Sequence, residues 1–541
     1  MSFLITLLCF FWFARTIKFV LFWIFLWQLK SYHTGRFLDH FRTHKGKKIF
    51  FNGLFIAKLI LLMLLFINYY LALYVLLLVY VAEFAMFGLA IIKKQYKKPV
   101  FTSKTIFLTI VASLDVIFYL FFSYVYIKNT FWFLFLILIY DIFTPLIVSV
   151  IVLFFQPFFV MARNNILKKA KKKISQYKNV TVIGITGSYG KTSTKEFLTT
   201  ILSQRFNVLA TADHQNSEIG IAKTILEKLN IGHEIFIVEM GAYNKGGIKL
   251  LCNMVKPSIG IVTGVNEQHL STFGSLDNLL SAEGGRELVD ALQKHGLIIL
   301  NGENAFCVDL YKNIYKINNT VGKQIYTIGK NKIDSDIWTE DIVVEKNSVS
   351  FIARTKEKEL AHIKVSVPGK QYVQNILGAI LIAREFGMTL EQITRACQNI
   401  KPEQAGIALK KGVHGIEIID ASYSSNPDGV MADLEYLNIF KGKKVIVMPC
   451  LIELGSKSAV IHYQIGKKIA KTCDLAIITT KERFGDLKRG AMENGMQESA
   501  ILLCDNPDEV LAHITTNCKE GDAVLLEGRV PNKLITLLGK V

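Results

Sequence analysis

A short glycine-rich turn, followed by a lysine and two hydroxyl residues, is the part of this sequence best suited to bind phosphate. Residues 182–193 read VIGITGSYGKTS, so an apolar stretch runs into the turn and a helical pattern follows it. Glycines let backbone N–H groups approach phosphate oxygens, the lysine neutralises the β- and γ-phosphates, and the first hydroxyl binds Mg²⁺. The residues predicted to contact ATP here are Gly187, Ser188, Gly190, Lys191, Thr192 and Ser193.

Polar residues also follow two other apolar stretches. Glu239 lies at the end of Ile235–Met240, and His269 follows Ile259–Val265. In open parallel sheets ligands bind at the carboxyl ends of strands, so both residues are predicted to lie beside the turn. Alone, each would more often be a helix cap or a satisfied polar group. With Thr192 for the first Mg²⁺, Glu239 and His269 are predicted to hold a second, and Lys191, Glu239 and His269 to be catalytic.

Alternating strand and helix patterns surround these residues and predict two α/β domains in tandem. The first is a parallel-sheet ATPase domain with a phosphate-binding loop, and the second is Rossmann-like. The strands of the first domain are predicted near 235–240, 259–265 and 297–300, with further β structure over 320–367. The second series of strands is predicted near 416–419, 445–448, 475–478, 500–503 and 523–526. Helices are predicted near 191–204, 217–229, 275–293 and 371–387.

The first 155 or so residues are typical of a helical membrane bundle. The chain has 541 residues, of which 51% are hydrophobic, and apolar stretches of bilayer-spanning length crowd its beginning. Five spans are predicted, near 3–27, 53–69, 71–92, 105–127 and 130–155, with a break near Asn68.

Charge predicts the orientation of this bundle. Loops 28–50 and 93–104 and the segment 161–178 are rich in lysine and arginine, which places them in the cytoplasm together with the C-terminal domains. A basic segment next to a span is more typical of contact with anionic lipid than with nucleic acid, so no nucleic-acid partner is expected. The eight cysteines are scattered without metal-binding spacing.

Charged residues within the spans allow two interpretations. Arg15 and Lys18 share a face of the first apolar stretch, and Glu83, Asp115 and Asp141 lie in later ones. They could form ion pairs that hold the bundle together, or they could line a site for a lipid headgroup. If the first stretch does not cross, the N-terminus is cytoplasmic.

Several separated motifs resemble the Mur ligase family, most closely its MurF-type branch. These are GITGSYGKTS at 184–193, NSEIG at 216–220, VEMGA at 238–242, HLSTFGS at 269–275, PGKQYVQN at 368–375, DASYSSNP at 420–427 and ELG at 453–455. The resemblance covers roughly residues 178–541. It implies an ATP-dependent ligase that activates a carboxylate as an acyl phosphate and joins it to an amine such as D-alanyl-D-alanine.

The resemblance also adds nucleotide-binding residues. Asn375 matches a family asparagine near the adenine, whereas Asp420, Tyr423 and Asn426 lie where the last domain of the family closes over the nucleotide.

This sequence departs from the family at several positions. The carbamylated lysine of the family is absent from 281–288, where Glu283 offers a carboxylate, and the family His-Asn pair is Gln371-Tyr372. The usual arginine is Ile407, and the second aspartate of an Asp-Asp-x-Tyr motif is Ala421. These changes keep two alternatives open, a non-catalytic ATP-binding scaffold of wall synthesis and a ligase for another polymer or a polyglutamate-type substrate.

Taken together, the sequence predicts four regions: a transmembrane region at 1–157, a basic connector at 158–178, an ATP-binding domain at 179–400 and a C-terminal domain at 401–541. The family places a nucleotide-sugar domain before the phosphate-binding loop, and the connector is too short for one. The expected acceptor is therefore a cell-wall precursor that is lipid-linked or presented at the membrane, with membrane lipids as further partners.

Overall fold

A computed structural model describes most of the chain. It covers residues 2–30, 32–41, 44–50, 52–92, 96–213, 215–329, 334–423 and 425–539. The chain divides into two compact units, Met1–Asn164 and Asn165–Val541.

Long apolar helices dominate the N-terminal unit. Its helices are α1 (Ser2–Leu29), α2 (Thr34–His40), α3 (His44–Phe50), α4 (Gly53–Ile67), α5 (Tyr69–Ile92), α6 (Ser103–Tyr126) and α7 (Thr130–Ile174), of which α7 continues into the next unit. Five segments, those that include α1, α4, α5, α6 and α7, are long and apolar enough to cross a membrane by length and composition. The predicted break at Asn68 is confirmed, and its side-chain oxygen accepts hydrogen bonds from the N–H groups of Tyr70 and Leu71.

Four charged side chains from four helices meet inside this unit. Arg15 of α1 contacts Glu83 of α5, at 2.9 Å, and Asp141 of α7. Lys58 of α4 contacts the same two carboxylates, at 3.4 and 3.0 Å. Tyr80 donates a further hydrogen bond to Asp141 at 3.1 Å. Buried charges are unfavourable unless they are paired, and two cations here balance two carboxylates, so this ion network connects the four helices.

The ion-pair interpretation is thus confirmed for three of the five charged residues singled out in the sequence. The other two make different contacts: Lys18 has its ammonium group 5.1 Å from the ring centre of Phe87, and Asp115 accepts a hydrogen bond from Tyr140 at 2.7 Å. Lys58 is a partner that the sequence analysis did not identify.

The C-terminal unit contains two sheets. The first sheet has strands β1 (Thr181–Thr186), β2 (Val208–Ala210), β3 (Ile235–Glu239), β4 (Ile259–Val262), β5 (Leu297–Asn301), β6 (Gly322–Ile328), β7 (Ile337–Val344), β8 (Val349–Thr355) and β9 (Leu360–Val365). Their order is β2-β3-β1-β4-β5-β6-β7-β8-β9, and pairing is parallel as far as β7 and antiparallel for β8 and β9.

Nine helices accompany this sheet in the described residues. They are α8 (Lys191–Leu202), α9 (Glu218–Glu227), α10 (Gly247–Val255), α11 (Leu270–Phe273), α12 (Leu276–Ala282), α13 (Arg286–Ala291), α14 (Ala305–Ile317), α15 (Gln371–Glu385) and α16 (Leu390–Cys397). Apolar clusters lie on both faces of the sheet, since Ile183 and Ile185 of β1 belong to one cluster and Val182 to the other. We call β1–β9 with α8–α16 the first sheet domain.

The second sheet is parallel except at one edge. Its strands are β10 (Ala408–Lys411), β11 (Glu417–Ala421), β12 (Lys444–Met448), β13 (Leu475–Ile478), β14 (Ile501–Leu503) and β15 (Ala523–Glu527), in the order β10-β11-β15-β12-β13-β14 with β10 antiparallel to β11. Its helices are α17 (Pro427–Leu437), α18 (Ser458–Thr472), α19 (Phe484–Met492), α20 (Pro507–Asn517) and α21 (Asn532–Leu538). We call these elements the second sheet domain. The two predicted α/β domains are confirmed.

The single helix predicted over 275–293 is wrong. The structure has two short helices there, α12 and α13, separated by Glu283, Gly284 and Gly285. Gly285 has a φ of 88°, and a Cβ at this position would lie 2.4 Å from Cγ2 of Val262. Only glycine adopts such a conformation without strain while packing so closely, and the helix therefore ends before it.

Replacing Asp141 by asparagine should destabilise the N-terminal unit, because two buried cations would then share one carboxylate. We expect a loss on the order of 3 kcal/mol. Tryptophan fluorescence during thermal unfolding in detergent measures it, since four of the five tryptophans lie in this unit. Asp115→Asn is the matched control, because Asp115 contacts a tyrosine rather than a cation. Equal shifts of the unfolding midpoint in both variants would contradict a special role of the ion network.

Candidate nucleotide and metal site

The phosphate-binding turn lies between β1 and α8, at the carboxyl edge of the first sheet. Gly187 and Gly190 have φ values of 140° and 75°, which other residues rarely adopt. A Cβ on Gly190 would lie 2.6 Å from Oδ1 of Asn375, so this asparagine packs directly against the turn. The N–H of Ser188 donates to the carbonyl of Gly264, beyond β4, at 2.7 Å. The turn is therefore fixed by both its glycines and the neighbouring strand.

The first three residues of α8 contact different parts of the molecule. The ammonium group of Lys191 lies over the turn and donates a hydrogen bond to the carbonyl of Gly187. Thr192 Oγ1 donates to Glu239 Oε1 at 3.1 Å. Ser193 Oγ donates instead to the carbonyl of Ala405, before the second sheet domain, at 3.4 Å. Lys191 and Thr192 thus face the site, whereas Ser193 contacts the junction between the sheet domains.

Glu239 is the centre of a polar cluster beside the turn. It lies at the end of β3 and pairs in register with Ile185 of β1. Its Oε1 also accepts from Nδ2 of Asn216 at 3.1 Å, and its Oε2 lies 3.6 Å from the ammonium group of the fully buried Lys195. Hydroxyl and carboxylate oxygens are the ligands that Mg²⁺ prefers, so Thr192 and Glu239 are each suited to bind magnesium.

His269 lies between two carboxylates. Its Nδ1 is 3.0 Å from Oε1 of Glu283, and its Nε2 is 4.0 Å from Oε2 of Glu453 in the second sheet domain. Glu283 is 1% exposed, and its other oxygen accepts a hydrogen bond from Ser188 Oγ at 2.9 Å. Burial alone would raise the pKa of Glu283, but His269, Lys191 and the two hydrogen bonds lower it below its usual value. Within the described part of the chain, His269 has no hydrogen bond to Thr192 or Glu239.

Asn266 connects the two sheet domains. It follows β4, and its Nδ2 donates to Oδ1 of Asn426 at 3.0 Å and to Oδ2 of Asp428 at 2.8 Å. Asn426 also caps α17 by accepting from the N–H of Gly429 at 3.1 Å. The second sheet domain is therefore held at the edge that carries the turn.

Asp420 and Tyr423 lie at the carboxyl end of β11. Lys410 donates to Asp420 at 2.8 Å, and hydrogen bonds from Lys410 and Ser422 outweigh the effect of burial and lower the pKa of Asp420. Tyr423 is 47% exposed. Partial burial and the nearby charges of Glu239 and Asp213 raise its pKa, so its phenol lies within electrostatic reach of the cluster around Glu239.

Two buried carboxyl groups lie close to one another where α17 covers β15. They are Asp433 of α17 and Glu527 of β15, and Gln371 of the first sheet domain donates to Asp433 at 2.9 Å. Burial raises the pKa of Asp433 to about 7, and burial together with the adjacent Asp433 raises that of Glu527 well above its usual value. In contrast to Glu283, no cation contributes to the pKa shift of either carboxyl group.

The structure brings most of the predicted site residues to one edge. The turn, Lys191, Thr192 and Glu239 are adjacent, Asn375 packs on the turn, and Asn426 reaches this edge through Asn266. Their roles remain predictions. Sequence analysis missed Lys195 and Asn266 as site residues, although Asn266 follows the same strand as His269 and satisfies the same strand-end criterion.

The arrangement fits ATP and Mg²⁺. The turn leaves no space for side chains at its glycines, which is the condition for backbone N–H groups to approach phosphate. Oxygen ligands from Thr192 and Glu239 lie next to it. Among the residues that the structure describes, no three His, Cys, Asp or Glu side chains form a cluster that could hold a metal.

Two protein-family models match this part of the chain. The one described as Mur ligase middle domain matches residues 185–383, and the one described as Mur ligase, glutamate ligase domain matches residues 407–530.

Curated relatives match more than half of the chain. The UDP-N-acetylmuramoyl-tripeptide–D-alanyl-D-alanine ligase of Escherichia coli (strain K12) is 28% identical over 287 residues, which are 53% of this chain and 61% of that enzyme. The enzyme of the same name from Bacillus subtilis (strain 168) is 25% identical over 370 residues, 68% of this chain and 77% of the relative. The chain thus spans about three fifths of the first relative and three quarters of the second.

Solved structures share the fold. MurF from Acinetobacter baumannii superposes with a TM-score of 0.62 at 23% identity, over 69% of this chain and 80% of that chain. The MurF ligase from Thermotoga maritima, solved in complex with ADP, superposes with a TM-score of 0.59 at 24% identity, over 69% of this chain and 83% of that chain.

The buried pair Asp433–Glu527 makes stability depend on pH. An aspartate whose pKa is raised from 3.8 to about 7 favours the folded state less as pH increases through that window, because the folded protein keeps a proton that the unfolded chain has lost. Asp433→Asn should therefore stabilise the protein relative to wild type more at about pH 8 than at about pH 5. Thermal unfolding at both values measures this. The exposed Asp290→Asn is the control, and a pH-independent difference for Asp433→Asn would contradict the shift.

Proposed function

Since the chain belongs to the Mur ligases, a family of ATP-dependent, ADP-forming acid–amino-acid ligases, we propose that it joins D-alanyl-D-alanine to the tripeptide of a muramoyl cell-wall precursor. The observation that carries this proposal is the contact of Thr192 with Glu239 beside the phosphate-binding turn, with the second sheet domain held at the same edge by Asn266. Both relatives described above, at 28% and 25% identity, are UDP-N-acetylmuramoyl-tripeptide–D-alanyl-D-alanine ligases, which supports the choice of amine.

The proposed reaction has two steps. The terminal phosphoryl group of ATP passes to the precursor carboxylate, which yields an acyl phosphate and ADP. The amino group of the dipeptide then attacks the acyl carbon, so that an amide bond forms, phosphate leaves and the nitrogen loses a proton. Carboxylate and triphosphate repel one another, and the site must therefore supply positive charge where they meet.

Lys191 would supply part of that charge by exchanging its hydrogen bond to Gly187 for phosphate oxygens. Thr192 would hold a first Mg²⁺, and Glu239 and His269 a second, which polarise the phosphoryl oxygens when bound. Asn375, beside Gly190, together with Asp420, Tyr423 and Asn426, would enclose the nucleotide. Such enclosure excludes water, which would otherwise hydrolyse the acyl phosphate.

We further propose that the protein resides in the cytoplasmic membrane with its sheet domains in the cytoplasm. The support is the five long apolar helical segments and the basic loops between them. The acceptor would then be a lipid-linked or membrane-presented precursor, because attachment of protein and precursor to the same membrane raises the effective concentration of the precursor at the protein.

A second candidate function is a non-catalytic ATP-binding scaffold of a wall-synthesis complex. The observation in its favour is that Ile407 and Ala421, which replace polar family residues, are buried in an apolar cluster rather than available to a ligand. A ligase for another polymer remains the third candidate, since the phosphate-binding turn does not distinguish between acceptors.

Product mass tests the proposal. Detergent-purified protein with ATP, Mg²⁺ and D-alanyl-D-alanine is given either UDP-muramoyl tripeptide or its lipid-linked counterpart. A gain of the dipeptide mass on the lipid-linked acceptor alone is the expected result. Equal use of the soluble acceptor would exclude the membrane-presented specificity, and ATP binding without product on either would favour the scaffold or another substrate.

Lys191→Ala separates the ligase from the scaffold. Loss of the ammonium group should lower turnover by about 10²–10³-fold, the range typical for a group that stabilises charge in the transition state. Lys249→Ala is the control, because Lys249 is an exposed lysine that pairs only with Asp290 among its described ion pairs. Calorimetric ATP titration is measured alongside. If Lys191→Ala loses ATP affinity and neither this variant nor the wild type shows turnover, the scaffold is supported.

A further inference from the structure

Glu283 is a buried carboxylate at the candidate site that neither phosphate binding nor domain contact explains. Its side chain joins two residues predicted from the sequence, His269 after β4 and Ser188 in the phosphate-binding turn. The two contacts use different oxygens, at 3.0 and 2.9 Å, so both are made at once. One carboxylate therefore connects the turn to the histidine.

The backbone around Glu283 holds it in place. Its N–H donates to the carbonyl of Leu279 at the end of α12, and the sharp turn at Gly284 and Gly285 follows immediately. Gly285 packs against Val262, the last residue of β4, which is the strand that leads to His269. Glu283 and His269 thus extend from neighbouring parts of one packed region.

The chemistry of the carboxylate determines where the protons lie. One oxygen of Glu283 lies within hydrogen-bond distance of a ring nitrogen and the other within that of a hydroxyl, and a carboxylate, the ordinary form of a glutamate, can only accept from both. His269 must then carry a proton on Nδ1, and the Ser188 hydroxyl must point its hydrogen at Glu283. In the neutral imidazole that donates through Nδ1, the remaining nitrogen Nε2 has a free lone pair.

Among the residues that the structure describes, none makes a hydrogen bond to that second nitrogen. Across the domain boundary, Oε2 of Glu453 lies 4.0 Å from Nε2, which is longer than a hydrogen bond. The backbone of Glu453 has a φ of 67°, and its carbonyl accepts from the N–H of Ser271 at 3.0 Å. Nε2 is therefore oriented but not engaged.

We infer that Glu283 is a positioning residue, which fixes His269 in the Nδ1–H tautomer with Nε2 as the free acceptor and links that ring to Ser188 of the turn. Carboxylates act in this way on histidines that bind metals, where they set both the tautomer and the ring orientation. The consequence for Mg²⁺ rests on the proposed function, whereas the tautomer does not.

Nitrogen-15 NMR of histidine in the full-length protein tests the tautomer directly. The protein is prepared in detergent at mildly alkaline pH, where an ordinary imidazole is neutral, and His269→Gln identifies the signal of interest. We expect a protonated Nδ1 and an unprotonated Nε2 in the wild type. A wild-type ring protonated on Nε2 instead would overturn the inference, whatever the variants do and whether or not ligation is ever observed.

Glu283→Leu removes the acceptor and should release the ring into a mixture of tautomers. Glu287→Leu is the matched control, because Glu287 is also a buried carboxylate but accepts from the backbone N–H groups of Gly246 and Lys249. It should leave the His269 signal unchanged. A Glu283→Leu protein that keeps a single Nδ1–H tautomer would refute the proposal, as would an equal change in both variants.

A double-mutant cycle tests whether Glu283 acts through His269. The Mg²⁺ concentration required for ATP binding is measured by titration in wild type, Glu283→Leu, His269→Gln and the double variant. We expect Glu283→Leu to raise the Mg²⁺ concentration required by about 10–100-fold in the wild-type background. It should add little once His269 is gone. Additive losses would show a merely structural role and reject the coupling, and this readout needs no ligase substrate.

Discussion

The position of β1 between β3 and β4 in a parallel sheet is the constraint on which the candidate site depends. Parallel strands end at the same edge, so the turn after β1 has Glu239 on one side and the segment from Gly264 to His269 on the other. The turn can hold its glycine conformations because the neighbouring strand supplies the carbonyl that accepts from Ser188. The same segment carries Asn266, through which the second sheet domain contacts this edge.

Buried charge is handled in two ways in this protein. Around Glu239, and in the ion network of the N-terminal unit, carboxylates lie next to cations, as charges removed from water require. Glu283 belongs to this class, and the positive groups around it lower its pKa despite complete burial. Asp433 and Glu527 show the opposite solution, because without a cation burial raises their pKa values and favours the protonated forms.

The departures from the Mur ligase pattern have consistent structural consequences. Gln371 makes a hydrogen bond to the buried Asp433 across the two sheet domains, which gives this position a part in domain contact. Ile407 and Ala421 extend an apolar cluster. Glu283 offers a genetically encoded carboxylate in contact with His269. The region before the first sheet domain is a helical unit with its own apolar core and a buried ion network of two cations and two carboxylates.

Local patterns were enough to predict the glycine-rich turn, the two α/β domains, the break at Asn68 and the strand-end position of Glu239, because each depends on residue type and spacing along the chain. What only the tertiary structure decided involves residues far apart in sequence. Sequence periodicity favoured one helix over 275–293, but close packing of Gly285 on Val262 divides it and places Glu283 against His269. Likewise, the sequence shows Lys58 only as a lysine within an apolar stretch, and the packing of four helices gives it two carboxylate partners. Strand order and helix packing set these contacts, and a linear pattern carries neither.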